Sequence, residues 1–382
     1  MKVLYDHQIW SHQRFGGASR IFSEVTLHSE GIPGYSYDIA LQHANNDYIK
    51  SNPKVAKATK MFSNKKSLLS RLRIILRNSA TAKRWYTTLK ERTNKRTSIR
   101  ALEKSDFDVF HPTHYDPYFL PYLKEKPFVI TVYDMIHELY PEYFVGKNIT
   151  APQKKLLTEK ATRIIAISEN TKNDLVKILG IDPKKIDVVY LASNFNEIEP
   201  KKIKTPKRYI LYVGSRVRYK NFSVVVRGAA PLLLSEKDLY LLCAGGGVFT
   251  KEEESLIREL GIEHKVVRQE ADDRELSYLY RHAECFVFAS LYEGFGIPIL
   301  EALSSGCPAV LSNASCFPEI AGNAAIYFEP TDPTSLTKAL KKICGDRNYR
   351  SQLIQLGNKK AEEYSWKKTA EKTRAVYYSC LS

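Results

Sequence analysis

The sequence predicts an α/β protein built from two open parallel sheets that share a deep cleft. Three observations carry this. Short β-branched or aromatic runs alternate with amphipathic helical stretches along the chain, the pattern of parallel strands joined by helical crossovers. The chain has 382 residues, enough for two domains. Glycine turns follow several of the strand-like runs, where open sheets of this kind hold their ligands.

In the first half, residues 2–6, 108–111, 128–133, 163–167 and 187–189 read as strands, and in the second half 209–213, 240–243, 266–268, 285–289, 309–312 and 325–328 do. Between the two sets lies a polar stretch, 196–207, interrupted by Pro200 and Pro206, which reads as the linker. The expected division is a first Rossmann-like domain over 1–198 with a basic insertion at 50–104, and a second over 199–362. The last segment, 359–381, reads as a helix with Tyr364, Trp366, Tyr377 and Tyr378 as bulky contacts, its 363–382 portion crossing back to the first domain.

Net charge is +16, and 50–104 carries nearly all of it, with 17 Lys and Arg against Glu91 and Glu103. Such a single-sign patch attracts an anionic surface. Leu68, Leu69, Leu72, Ile75, Leu76, Trp85, Tyr86 and Leu89 add apolar residues at helical spacing. A basic amphipathic hairpin on the anionic face of a membrane is the expectation, with a plain solvated helix as the alternative. No nucleic-acid motif accompanies the charge, so no nucleic-acid partner is expected. The start of the chain runs directly into strand-like sequence without the apolar core of a signal peptide, and no apolar run approaches the ~18 residues of a membrane span. The six cysteines include no CxxC pair, and Cys243, Cys285 and Cys307 sit in apolar context as core residues. The expected location is the cytoplasm, peripheral on the inner face of the cell membrane.

The most informative stretch is Glu293-Gly294-Phe295-Gly296-Ile297-Pro298-Ile299-Leu300-Glu301. A strand before it and a helix after it would point free backbone N–H groups at an anion on the helix axis. Gly294 and Gly296 leave room for close approach to the main chain, and Pro298 fits the first helical turn. Ionised glutamates accept only, so Glu293 and Glu301 suit sugar hydroxyls, Glu293 those of the transferred group and Glu301 those of a ribose. The second domain opens with a strand ending at Gly214, followed within seven residues by Arg216, Arg218 and Lys220. That suits a diphosphate, with Lys220 and either Arg216 or Arg218 neutralising its oxygens. Gly246, in Gly245-Gly246-Gly247, would let a nucleobase or ribose lie against backbone. In the first domain the turn Gly16-Gly17-Ala18-Ser19-Arg20 would face that phosphate site across the cleft. Asp134 and His137, three residues apart after a strand, could orient an acceptor hydroxyl or take its proton. No carboxylate cluster suits a metal, so none is expected, and cations with helix dipoles would handle the diphosphate charge.

Glu293…Glu301, Gly214…Lys220-Asn221, the Gly16-Gly17 turn and Ala166-Ile167-Ser168-Glu169-Asn170-Thr171 together resemble the retaining glycosyltransferases of family 4, which have the GT-B fold. The combination looks most like bacterial O-antigen and capsule mannosyl- or rhamnosyltransferases. The resemblance implies a nucleotide-sugar donor, GDP-mannose in the nearest cases, and a lipid-linked glycan or polysaccharide acceptor. It implies donor contacts at Arg216 or Arg218, Lys220, Glu293, Glu301 and the backbone of Phe295, Gly296 and Ile297. Many family members carry His-Asp where this chain has Tyr133-Asp134, which leaves His137 as the substitute. UDP- or dTDP-sugars are the alternative donors. A hydrolase or phosphorylase on the same fold and a non-enzymatic, membrane-docked assembly subunit are the competing readings.

Overall fold

The computed structural model describes residues 1–14, 16–52, 54–55, 80–144, 146 and 148–381. The first lobe holds strands β1 (Lys2–Tyr5), β2 (Ser36–Ile39), β3 (Val109–His111), β4 (Val129–Val132), β5 (Arg163–Ala166) and β6 (Ile186–Val188). They run parallel in the order β2-β1-β3 and β4-β5-β6, and a bridge between Phe110 and Phe128 joins the two triplets. Around them lie α1 (Gln8–His12), α2 (Gly17–Leu27), α3 (Ala80–Lys104), α4 (Ile136–Leu139), α5 (Thr150–Lys160) and α6 (Glu169–Leu179).

The second lobe holds β7 (Arg208–Val213), β8 (Leu239–Ala244), β9 (Val266–Gln269), β10 (Cys285–Phe288), β11 (Ala309–Ser312) and β12 (Ala325–Phe328). Its order is β12-β11-β10-β7-β8-β9, all parallel. Its helices are α7 (Phe222–Ser235), α8 (Lys251–Glu259), α9 (Asp273–His282), α10 (Ile297–Ser304), α11 (Phe317–Ala321), α12 (Pro333–Gly345) and α13 (Arg347–Ala361), after which comes α14 (Trp366–Tyr378). Helices on both faces explain why β4, β10 and β11 are buried at every residue and read as unbroken apolar runs rather than alternating ones.

All of the strands expected from sequence are present, with ends shifted by a residue at most. The addition is β2. It sits at the sheet edge, exposes Ser36 and Asp38, and so lacks the apolar run that marks a central strand. The end of the chain is two helices rather than one. The break at 362–365 lets Ser365 cap α14 by accepting a hydrogen bond from Lys368 N at 3.2 Å.

Helix α14 packs on α2 of the first lobe. Its fully buried Tyr377 shares a hydroxyl hydrogen bond with Tyr5 at 2.8 Å and another with His111 Nδ1 at 2.7 Å. Burial holds the His111 imidazole down at about 3, so the ring is neutral.

Of the basic segment, Leu68, Leu69, Leu72, Ile75 and Leu76 lie outside the described residues. Within α3, Trp85 is half exposed, whereas the later turns are built into the lobe. Buried Asn94 accepts from the backbone of Gln42 and His43 at 3.0 and 2.8 Å, and Ser98 hydrogen-bonds His7 Nδ1 at 2.8 Å. Among the described residues no helix is long and apolar enough to cross a membrane.

Tyr377→Phe removes the hydroxyl between Tyr5 and His111 and leaves both short of a partner. It should cost about 1–3 kcal/mol, read as a lower urea midpoint for the first lobe. An unchanged midpoint would show that α14 is not anchored there.

Candidate active site between the lobes

The strand orders locate the site before any side chain is considered. In the second lobe β7 and β10 are neighbours from which the chain winds outward in opposite directions, so a crevice opens beyond their carboxyl ends. Gly214 ends β7 with φ +109°, a value that favours glycine. Beyond β10 comes the 290–296 loop and then α10, whose N-cap, Gly296, has φ +85°. In the first lobe the equivalent point lies between β1 and β3, and Asp6 and Thr113 lie just beyond those two strands. The two points face each other across a cleft of about 500 Å³.

Gly17, Asp134 and His137 line this cleft from the first lobe, and Gly214, Lys220, Glu293, Phe295, Gly296 and Ile297 from the second. The Lys220 ammonium pairs with the Glu293 carboxylate, which also accepts from Ser290 Oγ at 2.6 Å. Burial draws the Lys220 pKa down, but Glu293, Tyr219 and Asp134 outweigh it and leave the ammonium above its ordinary value. Lys220 is therefore a firmly held cation at the mouth of the β7–β10 crevice. Ser315 Oγ donates to the Glu293 carbonyl at 2.6 Å and accepts from Glu293 N at 3.2 Å, fixing the loop backbone.

Across the cleft, Asp134 Oδ1 accepts from Ile136 N at 3.1 Å. The buried amine of Lys154 donates to the Asp134 carbonyl at 2.7 Å and to Glu138 at 2.8 Å. His137 stacks on Phe144 with centroids 4.0 Å apart, and its Nδ1 is buried without a hydrogen-bond partner. Burial lowers its pKa, against the pull of Asp134, so at neutral pH the ring is uncharged. His114 also lines the cleft, neutral because burial holds it at about 4.

Several expected residues lie elsewhere. Arg216 is spent inside its own lobe. It pairs with Glu253 at 3.1 Å and donates to the carbonyls of Gly245, Gly246, Gly247 and Val248 at 2.9–3.3 Å, clamping that loop rather than facing a phosphate. Arg218 is exposed on the outer side of the same turn, with Tyr143 near it, outside the cleft. Gly246 is closed in, since a Cβ there would lie 2.6 Å from both Gly214 O and Arg216 Nη1. Gly16 caps α2, accepting from Arg20 N at 3.1 Å. Glu301 does not line the cleft. It lies one turn behind Ile297, buried, where Arg20 Nη1 of the first lobe approaches Oε1 at 3.4 Å and Tyr280 donates to Oε2 at 3.2 Å. Gly294 answers a different need from the one expected. The group that approaches it is the Tyr133 carbonyl, 1.6 Å from where a Cβ would stand.

No local signal marks the residues that hold the lobes together, or those that tie strand ends within the first lobe. Glu319 of α11 accepts from Glu169 N and Asn170 N, at 2.7 and 3.0 Å, at the N-terminus of α6. That is a carboxylate at the positive end of a helix, supplied by the other lobe. Tyr292 donates to Asp174 at 2.6 Å and accepts from Met135 N at 3.2 Å. Asp6, fully buried, accepts from Gln8, Thr113 and Tyr118 and ties the end of β1 to the end of β3. Such carboxylates read as ordinary surface residues until their partners are known. Among the described residues no group of three or more His, Cys, Asp or Glu is placed to hold a metal ion.

Two family models divide the chain near its first crossing between lobes. Residues 67–194 match "Glycosyltransferase Family 4" and residues 193–360 match "Glycosyl transferases group 1". The chain belongs to glycosyltransferase family 4. Among its curated relatives is the O-antigen chain mannosyltransferase RfbU of Salmonella typhimurium, 28% identical over 59% of this chain and 62% of that protein. The O-antigen chain mannosyltransferase B of Escherichia coli is 26% identical over 69% of this chain and 73% of that one. Among solved structures, Anabaena HepE in complex with UDP and glucose superposes with a TM-score of 0.69 at 14% identity, over 99% of this chain and all of that one. At that identity the likeness establishes the fold, which is GT-B.

Gly294→Ala would drive a methyl group into the Tyr133 carbonyl and force the lobes apart. We expect a larger radius of gyration by small-angle scattering and a loss of about 1–3 kcal/mol from overpacking. A variant with unchanged scattering and stability would show that the contact is not tight in solution.

Proposed function

We propose that this family 4 glycosyltransferase transfers a hexose, with retention at the anomeric carbon, from a sugar nucleotide to a hydroxyl of a lipid-linked or polysaccharide acceptor in surface-glycan assembly. The donor we favour is GDP-mannose. One observation carries the reading: the Lys220–Glu293 pair and the N-terminus of α10 face Asp134 and His137 across a single cleft. Lys220 and the backbone N–H groups of Phe295, Gly296 and Ile297 would take the diphosphate, and Glu293 the hydroxyls of the transferred sugar. The mannosyltransferase names of relatives support mannose.

In the step proposed, the bond from C1 to the acceptor oxygen forms on the face from which the leaving phosphate departs. The acceptor proton passes to an oxygen of that phosphate. Lys220 and the α10 dipole stabilise the charge that builds on the diphosphate. Asp134 and neutral His137 orient the sugar and acceptor hydroxyls from the opposite wall. Arg216 contributes at one remove, by fixing the loop 245–247 beside the donor.

A UDP- or dTDP-sugar is the second reading, since HepE holds UDP on the same fold. Peripheral attachment to an anionic membrane through 50–104 completes the proposal, and it rests on the charge of that segment.

Donor binding, transfer and membrane attachment test this in turn. A thermal-shift screen of GDP-mannose against UDP- and dTDP-sugars should single out one nucleotide, with about 2.7 kcal/mol of stabilisation at 100 times its dissociation constant. No response to any sugar nucleotide would end the donor assignment. Glu293→Gln and Lys220→Met should each lower kcat/KM by about 10²–10³ with the fold intact, and NMR of the product should show the anomeric configuration of the donor. Full transfer by Glu293→Ala, with transfer abolished by charge reversal in 50–104, would favour a docking subunit instead. Sedimentation with anionic vesicles should weaken as salt rises, and salt-insensitive binding would remove the membrane role.

A further inference from the structure

Helices α2 and α10 come from different lobes, and both begin at the cleft, where Gly17 and Ile297 line it. Their later turns reach a second cavity of about 770 Å³, larger than the cleft and within the usual size of a small-molecule site. Glu24 and Leu27 of α2 line this rear cavity, as do Leu300 and Ser304 of α10. Both chain crossings between the lobes line it too, the first through Asn194, Asn196 and Glu197, the second through Glu362 and Tyr364. Neither lobe forms it alone. Between cleft and cavity the two helices are joined by Arg20 and Glu301, with Nη1 and Oε1 3.4 Å apart. Arg20 Nη2 also donates to Asn194 Oδ1, so the Asn194 NH2 group is left as a donor.

The chemistry of the wall is polar and largely unspent. The side chains of Asn196, Glu197, Asn358 and Glu362 make no hydrogen bond among the described residues. Amides donate and accept while carboxylates accept, so together they match hydroxyls, which do both. Leu27, Leu300 and Tyr364 add an apolar surface for the C–H face of a sugar ring. Three carboxylates, Glu24, Glu197 and Glu362, stand against Lys367 and against His28, whose Nδ1 lies 3.6 Å from Glu24. That balance disfavours a phosphate and sets the rear cavity apart from the diphosphate site around Lys220. Trp366 is in the wall as well, 4% exposed, and its indole N–H is buried without a hydrogen-bond partner among the described residues. Unpaired buried donors are uncommon, and an occupant rich in acceptor oxygens can supply what this one lacks.

We propose that the rear cavity is a second saccharide site, which holds a short neutral glycan against both crossings and braces the lobes in their present arrangement. Helices α2 and α10 run from it to the cleft, so its occupant bears on both walls of the donor site. Donor and glycan would favour the same lobe arrangement, and each would tighten the other. That coupling rests on the donor reading of the cleft, whereas the saccharide site does not.

Trp366 reports on the cavity directly. α-Mannotriose should bind by calorimetry and shift the tryptophan fluorescence, and Trp366→Phe should lose that shift. Asn196 and Asn358 are exposed and hold nothing in place, so the double variant Asn196→Leu, Asn358→Leu should fold normally. It should bind mannotriose about tenfold more weakly, as expected for two lost hydrogen bonds. Lys220→Met and Asp134→Asn, on the two walls of the cleft, should bind it like the wild type. Absence of binding would overturn the proposal, as would binding lost in the cleft variants and kept in the double variant. Tighter binding of mannose 6-phosphate or of spermidine than of mannotriose would overturn it too, by showing that charge selects the occupant.

The coupling is read with GDP-mannose. Saturating mannotriose should lower its Kd about fivefold, and saturating GDP-mannose should lower the Kd of mannotriose by the same factor. Mannotriose bound in the rear cavity without any such effect would overturn the bracing role. GDP-mannose that fails to bind at all would refute the donor assignment, and the saccharide site would still stand or fall on the first titration.

Discussion

The loop that carries Glu293 is wedged between the lobes, and the rest of the site depends on that contact. Gly294 stands against the Tyr133 carbonyl with no room for a side chain, while Tyr292 reaches into the first lobe to Asp174 and Met135. Glu319 completes the contact from α11 by docking on the N-terminus of α6. These are polar and steric constraints, directional in a way that apolar packing is not. They fix how far α10 can stand from Asp134 and His137, and hence the width of the cleft. The polar groups of both lobes that meet here would otherwise need water.

Two kinds of cation emerge from the geometry. Lys220 and Arg216 are four residues apart on one glycine turn, yet the first faces the cleft and the second is enclosed by the carbonyls of its own lobe. A guanidinium has five donors in a fixed fork, which suits it to several carbonyls at once. An ammonium is a compact charge, suited to a single carboxylate and a transient anion. Arg20 shows the same preference, binding a carboxylate and an amide together.

Much of the fold was legible in the sequence. Parallel strands covered on both faces must be continuously apolar, so β7, β10 and β11 stand out without any knowledge of their neighbours. The edge strand β2 did not, because half of it faces solvent. Residues 359–381 read as one continuous helix because nothing about 362–365 in isolation shows that Ser365 will cap a new helix. In the site, Gly214, Lys220, Glu293 and the start of α10 follow from local pattern, a strand end, a glycine and a charge in sequence. Asp6, Lys154, Asp174 and Glu319 do not, since each is defined by a partner at least sixteen residues away.

Two parallel sheets, the crevice at the end of β7 and β10, and a cluster of groups suited to a sugar diphosphate are all legible from residue order, because periodicity and turn chemistry act over a few residues. Which of those groups face one another follows only from the packing of the lobes. Tertiary structure turned Arg216 inward, set Glu301 against Arg20, and gave Gly294 its reason, because each outcome depends on how one lobe stands against another element that no local pattern encodes.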